Sequence, residues 1–132
     1  MAVTATPIFP QTPVIGIAPL TTALTARTSL TTPWTGTVAL CPVSTNGKRL
    51  DAITVKTSAT SAAGIVFIWI MDGTTAHLFD EIIVNAVTGS ATLPSDQTTK
   101  TYYNIMIPAA YSLRASTTIT QNINVIAFGG DL

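Results

Sequence analysis

Charged residues are scarce in this chain. Asp, Glu, Lys and Arg make up 9% of its 132 residues, against about 25% in an ordinary soluble domain. Six basic residues balance six acidic ones, so the formal net charge is zero. A nucleic-acid-binding domain carries a surplus of Lys and Arg to neutralise phosphates, so this balance excludes nucleic acid as a partner. Low net charge also removes the self-repulsion that keeps proteins apart, which favours assembly.

Cysteine and histidine are nearly absent, with one residue each, Cys41 and His77. One cysteine cannot form an intramolecular disulfide, which indicates folding in a reducing compartment. We expect Cys41 to be a small buried apolar residue at a strand end. A catalytic cysteine needs a histidine held nearby as its base, and nothing in the sequence places His77 close to Cys41.

No long hydrophobic run is present. The most apolar stretch, residues 62–71, has about half of the roughly 20 residues that a membrane-spanning helix needs. The N-terminus lacks the charged start and continuous apolar core of a signal peptide. The sequence therefore predicts neither a membrane partner nor secretion.

Proline is concentrated at the N-terminus, where residues 1–20 hold four of the eight. Proline fixes φ and holds the preceding residue extended, which excludes a helix or a central strand here. The segment is too apolar for a solvated linker, and we interpret it as an extended N-terminal arm. Three states stay open: an edge strand of the same domain, an arm exchanged with a neighbouring subunit, or a disordered tail. Its larger apolar side chains, the candidate capsid or subunit contacts, are Val3, Ile8, Phe9, Val14, Ile15 and Ile17.

Residues 21–132 show the pattern of one all-β domain. The chain contains 25 threonines, and a β-branched side chain favours strands over helices. No window carries the apolar stripe of an amphipathic helix, whereas strand-like runs recur at the spacing of a sandwich. We predict about eight strands, near 21–30, 34–41, 49–57, 64–72, 76–85, 101–107, 111–117 and 122–129. Residues 88–99 are expected to form a polar loop.

Residues 64–71 are apolar at every position, which is typical of a strand that is covered on both faces. We expect one face to meet a second sheet and the other an arm or a partner. The predicted core of the sandwich comprises Ile53, Val55, Val66, Ile68, Ile70, Ile82, Val84, Ile105, Leu113, Val125 and Phe128.

Reactive side chains form no recognisable catalytic motif. Asp72, His77 and Asp80 could meet around a metal across a turn, but residues flanking a hairpin explain them equally well. No nucleophile elbow or phosphate-binding glycine loop is present. We therefore predict that the protein is not an enzyme and needs no cofactor.

Carbohydrate binding remains an alternative, because a sugar site needs only an aromatic face and a few polar groups. Trp69 is expected in the core, and Tyr102 and Tyr103 on opposite faces of a strand. Trp34 follows Pro33 at a strand start and is a candidate rim contact.

Four segments resemble small virion proteins encoded by tailed bacteriophages. They are residues 46–53, 65–73, 108–117 and 124–131, which read NGKRLDAI, IVFIWIMDG, PAAYSLRAST and NVIAFGGD. The resemblance covers roughly residues 46–132. Ala110 stands where that pattern favours glycine.

The resemblance implies a single antiparallel β-sandwich of the jelly-roll type. It also implies a structural role in the virion, as a capsid decoration (cement) protein on the capsid exterior, made in the host cytoplasm. The alternative is the receptor- or carbohydrate-binding head of a fibre or spike, but the chain shows no trimerising stalk. The expected partners are the major capsid protein and further copies of this chain in a homotrimer.

Overall fold

The computed structural model describes residues 12–132, which form nine strands in two antiparallel sheets. The predicted all-β sandwich is confirmed. The strands are β1 (Thr12–Leu20), β2 (Leu30–Thr31), β3 (Val38–Cys41), β4 (Lys48–Thr57), β5 (Gly64–Met71), β6 (Thr75–Val84), β7 (Gln97–Ile107), β8 (Ser112–Thr117) and β9 (Ile123–Asp131). Within residues 12–132, no helix has the length and hydropathy needed to cross a membrane.

The strand order is that of a jelly roll. One sheet has the order β1-β9-β4-β7 and the other β2-β6-β5-β8-β3. Apart from the two-residue β2, the hydrogen-bonded pairs are nested, with β1 on β9, β3 on β8, β4 on β7 and β5 on β6. This is one long antiparallel ribbon folded over so that its successive parts alternate between the two sheets.

The main core lies between the sheets. Of the residues predicted for it, Ile53, Val55, Val66, Ile68, Ile82, Val84, Leu113 and Val125 are buried. Ile70 and Ile105 are only partly buried and pack at the margin of this core. The assignment of Phe128 was wrong, because its side chain is 39% exposed. Phe128 is three residues from the inward-facing Val125, and residues three apart on a strand lie on opposite faces.

A second apolar cluster explains why β5 is apolar on both faces. Phe67, Trp69 and Met71 are buried on the outer face of their sheet, where Leu24, Leu30 and Trp34 pack against them. The Trp69 indole also donates a hydrogen bond of 2.8 Å to Ser116 Oγ. The cover is therefore the connection between β1 and β3, which belongs to the same chain.

The N-terminal boundary differs from the prediction. Thr12–Leu20 is an edge strand of the sandwich, paired with β9 along its whole length, so the domain begins before residue 21. Pro13 and Pro19 are compatible with this strand because it has a neighbour on one side only. Val3, Ile8 and Phe9 lie outside the described residues.

Three predicted strands differ from the observed ones by more than two residues at one end. Residues 21–30 do not form a continuous strand: only Ala23, by an isolated bridge, and Leu30, the first residue of β2, pair with a neighbour. Leu24 and Leu30 lie across the outer face of the β2-β6-β5-β8-β3 sheet and pack on its second apolar cluster. The strand predicted over 34–41 begins at Val38. The strand predicted to start at residue 101 begins at Gln97, which shortens the polar loop.

Candidate interaction surface

The outer face of the β1-β9-β4-β7 sheet carries exposed apolar side chains on its edge strand. Along β1, Gly16, Ala18 and Leu20 point inward and are buried. The alternate residues Ile15 and Ile17 are 61% and 59% exposed. Exposure of two large aliphatic side chains on one strand face is unfavourable in water.

Strand β9 extends this apolar surface. The register places Ile15 opposite Phe128 and Ile17 opposite Ile126. Directly opposed side chains lie within about 5.5 Å at Cβ, so the four residues are contiguous. We call Ile15, Ile17, Ile126 and Phe128 the apolar patch.

The surface beside the patch is polar but largely uncharged. Phe128 and Ile126 are followed across the sheet by Ala52 and Thr54 of β4, and these by Thr101 and Thr99 of β7. The hydroxyls of Thr54 and Thr99 are hydrogen-bonded at 2.9 Å. A partner meeting this face would have few charges to desolvate.

Charged groups of β4 lie toward the two ends of the strand and are already engaged. Lys56 Nζ donates to the Ser95 carbonyl at 3.0 Å, and Arg49 Nε lies 2.8 Å from Asp51 Oδ1. At the same end as Arg49, the buried Lys48 pairs with Asp131, and this pairing lowers the pKa of the Asp131 carboxyl.

The residues predicted for contact fall into three groups. Ile15 and Ile17 are exposed in the apolar patch, whereas Val14 is half-buried. Trp34 is half-buried, donates its indole N–H to the Thr74 carbonyl at 3.1 Å and lies under the Arg114 guanidinium. Trp34 therefore packs over the second cluster and offers only part of its ring to a partner.

Phe128 and Ile126 are the patch residues that the sequence interpretation missed. Ile123, Val125 and Ala127 are the buried series of β9. A strict two-residue period from Ile123 would have placed Ile126 and Phe128 on the outer face.

The aromatic residues considered for sugar binding are distributed as expected. Trp69 is fully buried, and Tyr103 is 86% exposed. Tyr102 is partly buried and stacks on Phe79, with ring centroids 5.8 Å apart. The prediction that Tyr102 and Tyr103 face opposite sides is confirmed.

The three residues considered for a metal site do not form one cluster. His77 Nε2 lies 3.2 Å from Asp72 Oδ2, while Asp80 is bound by Lys100 and Tyr102. Backbone N–H groups of Thr75 and Thr74 hold the pKa of Asp72 well below its usual range. Within residues 12–132, no three His, Cys, Asp or Glu side chains are placed to bind a metal.

Cys41 is buried, as predicted. Burial raises the pKa of its thiol to about 11, so the reactive thiolate is a minor species at neutral pH.

Comparison with protein-family models, curated proteins and solved structures gives no match to this chain.

Proposed function

We propose that this protein is a structural virion protein of a tailed bacteriophage, specifically a capsid decoration protein that binds the outer surface of the major capsid protein shell. The resemblance of the four sequence segments led to this hypothesis. The jelly-roll strand order agrees with what that resemblance implies.

The observation that carries the proposal is the apolar patch. One sheet has the Phe67–Trp69–Met71 part of its outer face covered by the chain's own β1–β3 connection, whereas Ile15, Ile17 and Phe128 on the other sheet stay exposed. Burying a large aliphatic or aromatic side chain stabilises a complex by about 1.5–3 kcal/mol before the costs of association. A neutral protein with such a face is suited to association with a large assembly.

A non-catalytic role is part of the proposal. Three carboxyl groups with a lowered pKa are engaged in structural contacts: Asp72 in its turn, Asp80 between strands and Asp131 with Lys48. Perturbed carboxylates of this kind also occur in structural networks.

Self-association, as a trimer, completes the proposal. Several modest contacts made by one oligomer on a symmetric lattice add to a much higher avidity. A trimer matches the threefold positions of a capsid lattice, and closed cyclic symmetry is common among oligomers of identical chains.

The test is binding to purified capsids of the encoding phage, measured by co-sedimentation. We expect the wild-type protein to coat particles at hundreds of copies and I15T/I17T to bind at least about tenfold more weakly. I83T is the matched control, because Ile83 is 64% exposed on the other sheet. A few dozen copies at one vertex or on the tail would overturn decoration in favour of a fibre head.

A further inference from the structure

The apolar patch has no cover among residues 12–132, although the opposite sheet has one. The chain that precedes β1 is the nearest segment in sequence. Residues 1–11 contain no charged side chain and carry Val3, Ile8 and Phe9. An uncharged apolar segment is therefore joined directly to the strand that holds half of the patch.

The spacing of the prolines predicts an extended backbone for this segment. Pro7, Pro10 and Pro13 recur every three residues, which is the period of a polyproline II helix. Each proline also holds the preceding residue extended. To cover the patch of its own molecule, the chain would have to reverse between Phe9 and Thr12, whereas an extended continuation of β1 would carry Ile8 and Phe9 away from that patch.

The length of the segment allows contact with a neighbour. Eleven residues in polyproline II geometry span about 34 Å, more than the width of a four-stranded sheet with strands about 4.8 Å apart. The prolines also restrict the free segment, so it loses less conformational entropy on binding.

We infer that residues 1–11 of one copy bind the apolar patch of a second copy. From here on, the arm means these residues, which precede β1. Ile8 and Phe9 supply the apolar contacts, and Ile15, Ile17 and Phe128 of the neighbour receive them. The contact is head-to-tail, and its repetition generates a closed ring of three copies if each contact rotates the chain by one third of a turn. This inference rests on the proposed self-association and assigns the patch to it. The patch then supports capsid binding through the avidity of the trimer and does not itself touch the shell.

The test is sedimentation of the full-length protein and two variants. F9D places a charge in the arm and leaves the patch intact, whereas I17D does the reverse. We expect a trimer for the wild type and one-chain mass for each variant alone. I83D is the control and should remain trimeric.

Mixing the two variants is the decisive measurement. The intact arm of I17D can still bind the intact patch of F9D, so the mixture should form a dimer although neither variant associates alone. An arm that covers its own patch predicts no association in the mixture. A mixture that stays monomeric, or single variants that stay trimeric, overturns the inference.

A cross-link identifies the contact directly. A chain carrying F9C and a second carrying I17C should form a disulfide-linked dimer on mild oxidation. Cys41 should not form a disulfide under these conditions, because it is buried and burial raises the pKa of its thiol to about 11. A control chain with I83C in place of I17C should give no heterodimer with F9C.

Particle binding separates this inference from the proposed function. Variants that are monomeric yet still coat capsids would retain the decoration role and place the capsid contact outside the arm and patch. A wild-type protein that coats capsids but sediments as a monomer at all concentrations would overturn the arm-to-patch contact and the proposed trimer, and would retain the decoration role.

Discussion

Ile68 tests the core at the scale of one residue. Its side chain is fully buried between the sheets, so Ile68→Ala removes buried methyl groups and leaves a cavity. We expect a loss of about 2–5 kcal/mol in the free energy of unfolding, measured by denaturant titration. Ile83→Ala is the matched control because Ile83 is 64% exposed, and it should change stability little. Equal losses for the two variants would contradict the assigned burial.

Asp80 should make stability depend on acid pH. Burial opposes its ionisation, but hydrogen bonds from Lys100 Nζ at 2.7 Å and Tyr102 OH at 2.6 Å outweigh burial and lower the Asp80 pKa. A carboxyl with a lowered folded-state pKa stabilises the fold above its unfolded pKa of about 3.9, and this contribution is lost as pH falls through the folded value.

The measurement for Asp80 is thermal unfolding from pH 7 to pH 2 for wild type and D80N. We expect D80N to be less stable at pH 7, by on the order of 1 kcal/mol because the group is partly solvent-screened. The difference should shrink as the pH falls through the lowered folded-state pKa of Asp80, because the wild-type carboxyl then becomes protonated. A constant difference across this range would show that charge at Asp80 contributes nothing.

The burial of single residues was predicted correctly where alternating polar and apolar neighbours showed which side chains face the core. Ile53 and Val55 alternate with polar residues and are buried, as predicted. The prediction that Phe128 is buried was wrong because its hydrophobicity was given more weight than the two-residue period of the strand. Ile126 and Phe128 are apolar yet outward-facing, so no hydropathy rule alone could have identified the apolar patch.

At the scale of the element, β1 shows which part of the N-terminal region belongs to the folded domain. Ala18 and Leu20 are buried in the main core, and Gly16 allows β1 to approach β3, since a Cβ there would collide with the Leu40 carbonyl oxygen.

Deletion of residues 2–11 should leave the circular dichroism spectrum and melting temperature unchanged within a few degrees. Deletion of residues 2–19 should prevent stable folding, because β9 loses its partner and the core loses Leu20.

The two deletions bear on different claims. A folded 2–19 deletion would show that the edge strand is dispensable, which its pairing with β9 contradicts. An unfolded 2–11 deletion would show that the preceding segment belongs to the domain itself.

Element-level prediction worked for strands with a clear apolar pattern and failed at the β1–β3 connection. Residues 21–30 are threonine-rich, and their local propensity favours a strand. Leu24 and Leu30 instead pack on Phe67 and Trp69, which lie about forty residues later in the sequence. The two-sided burial of β5 was predictable, but its cover depends on this long-range packing.

At the scale of the whole molecule, the nested pairing brings the ends of the described chain together. Thr12 lies opposite Asp131 in the β1–β9 register. Composition and strand count predicted the sandwich, and the segment resemblance implied its jelly-roll form. The strand order could not be derived from local pattern, because every nested pair except β5–β6 joins strands separated by other strands.

This closure predicts that the protein tolerates circular permutation. A short glycine-serine linker would join Leu132 to Thr12, residues 1–11 would be omitted, and new termini would open at Ala91, an exposed position in the connection between β6 and β7. Permutation succeeds at such exposed polar sites. We expect an all-β circular dichroism spectrum, a melting temperature within a few degrees of the 2–11 deletion, and one-chain mass on sedimentation because the arm is gone.

The control permutant opens between Phe67 and Ile68 in the buried strand β5 and should not fold. A permutant at Ala91 that fails to fold would contradict the nested strand order, and a trimeric one would show that self-association does not require the arm.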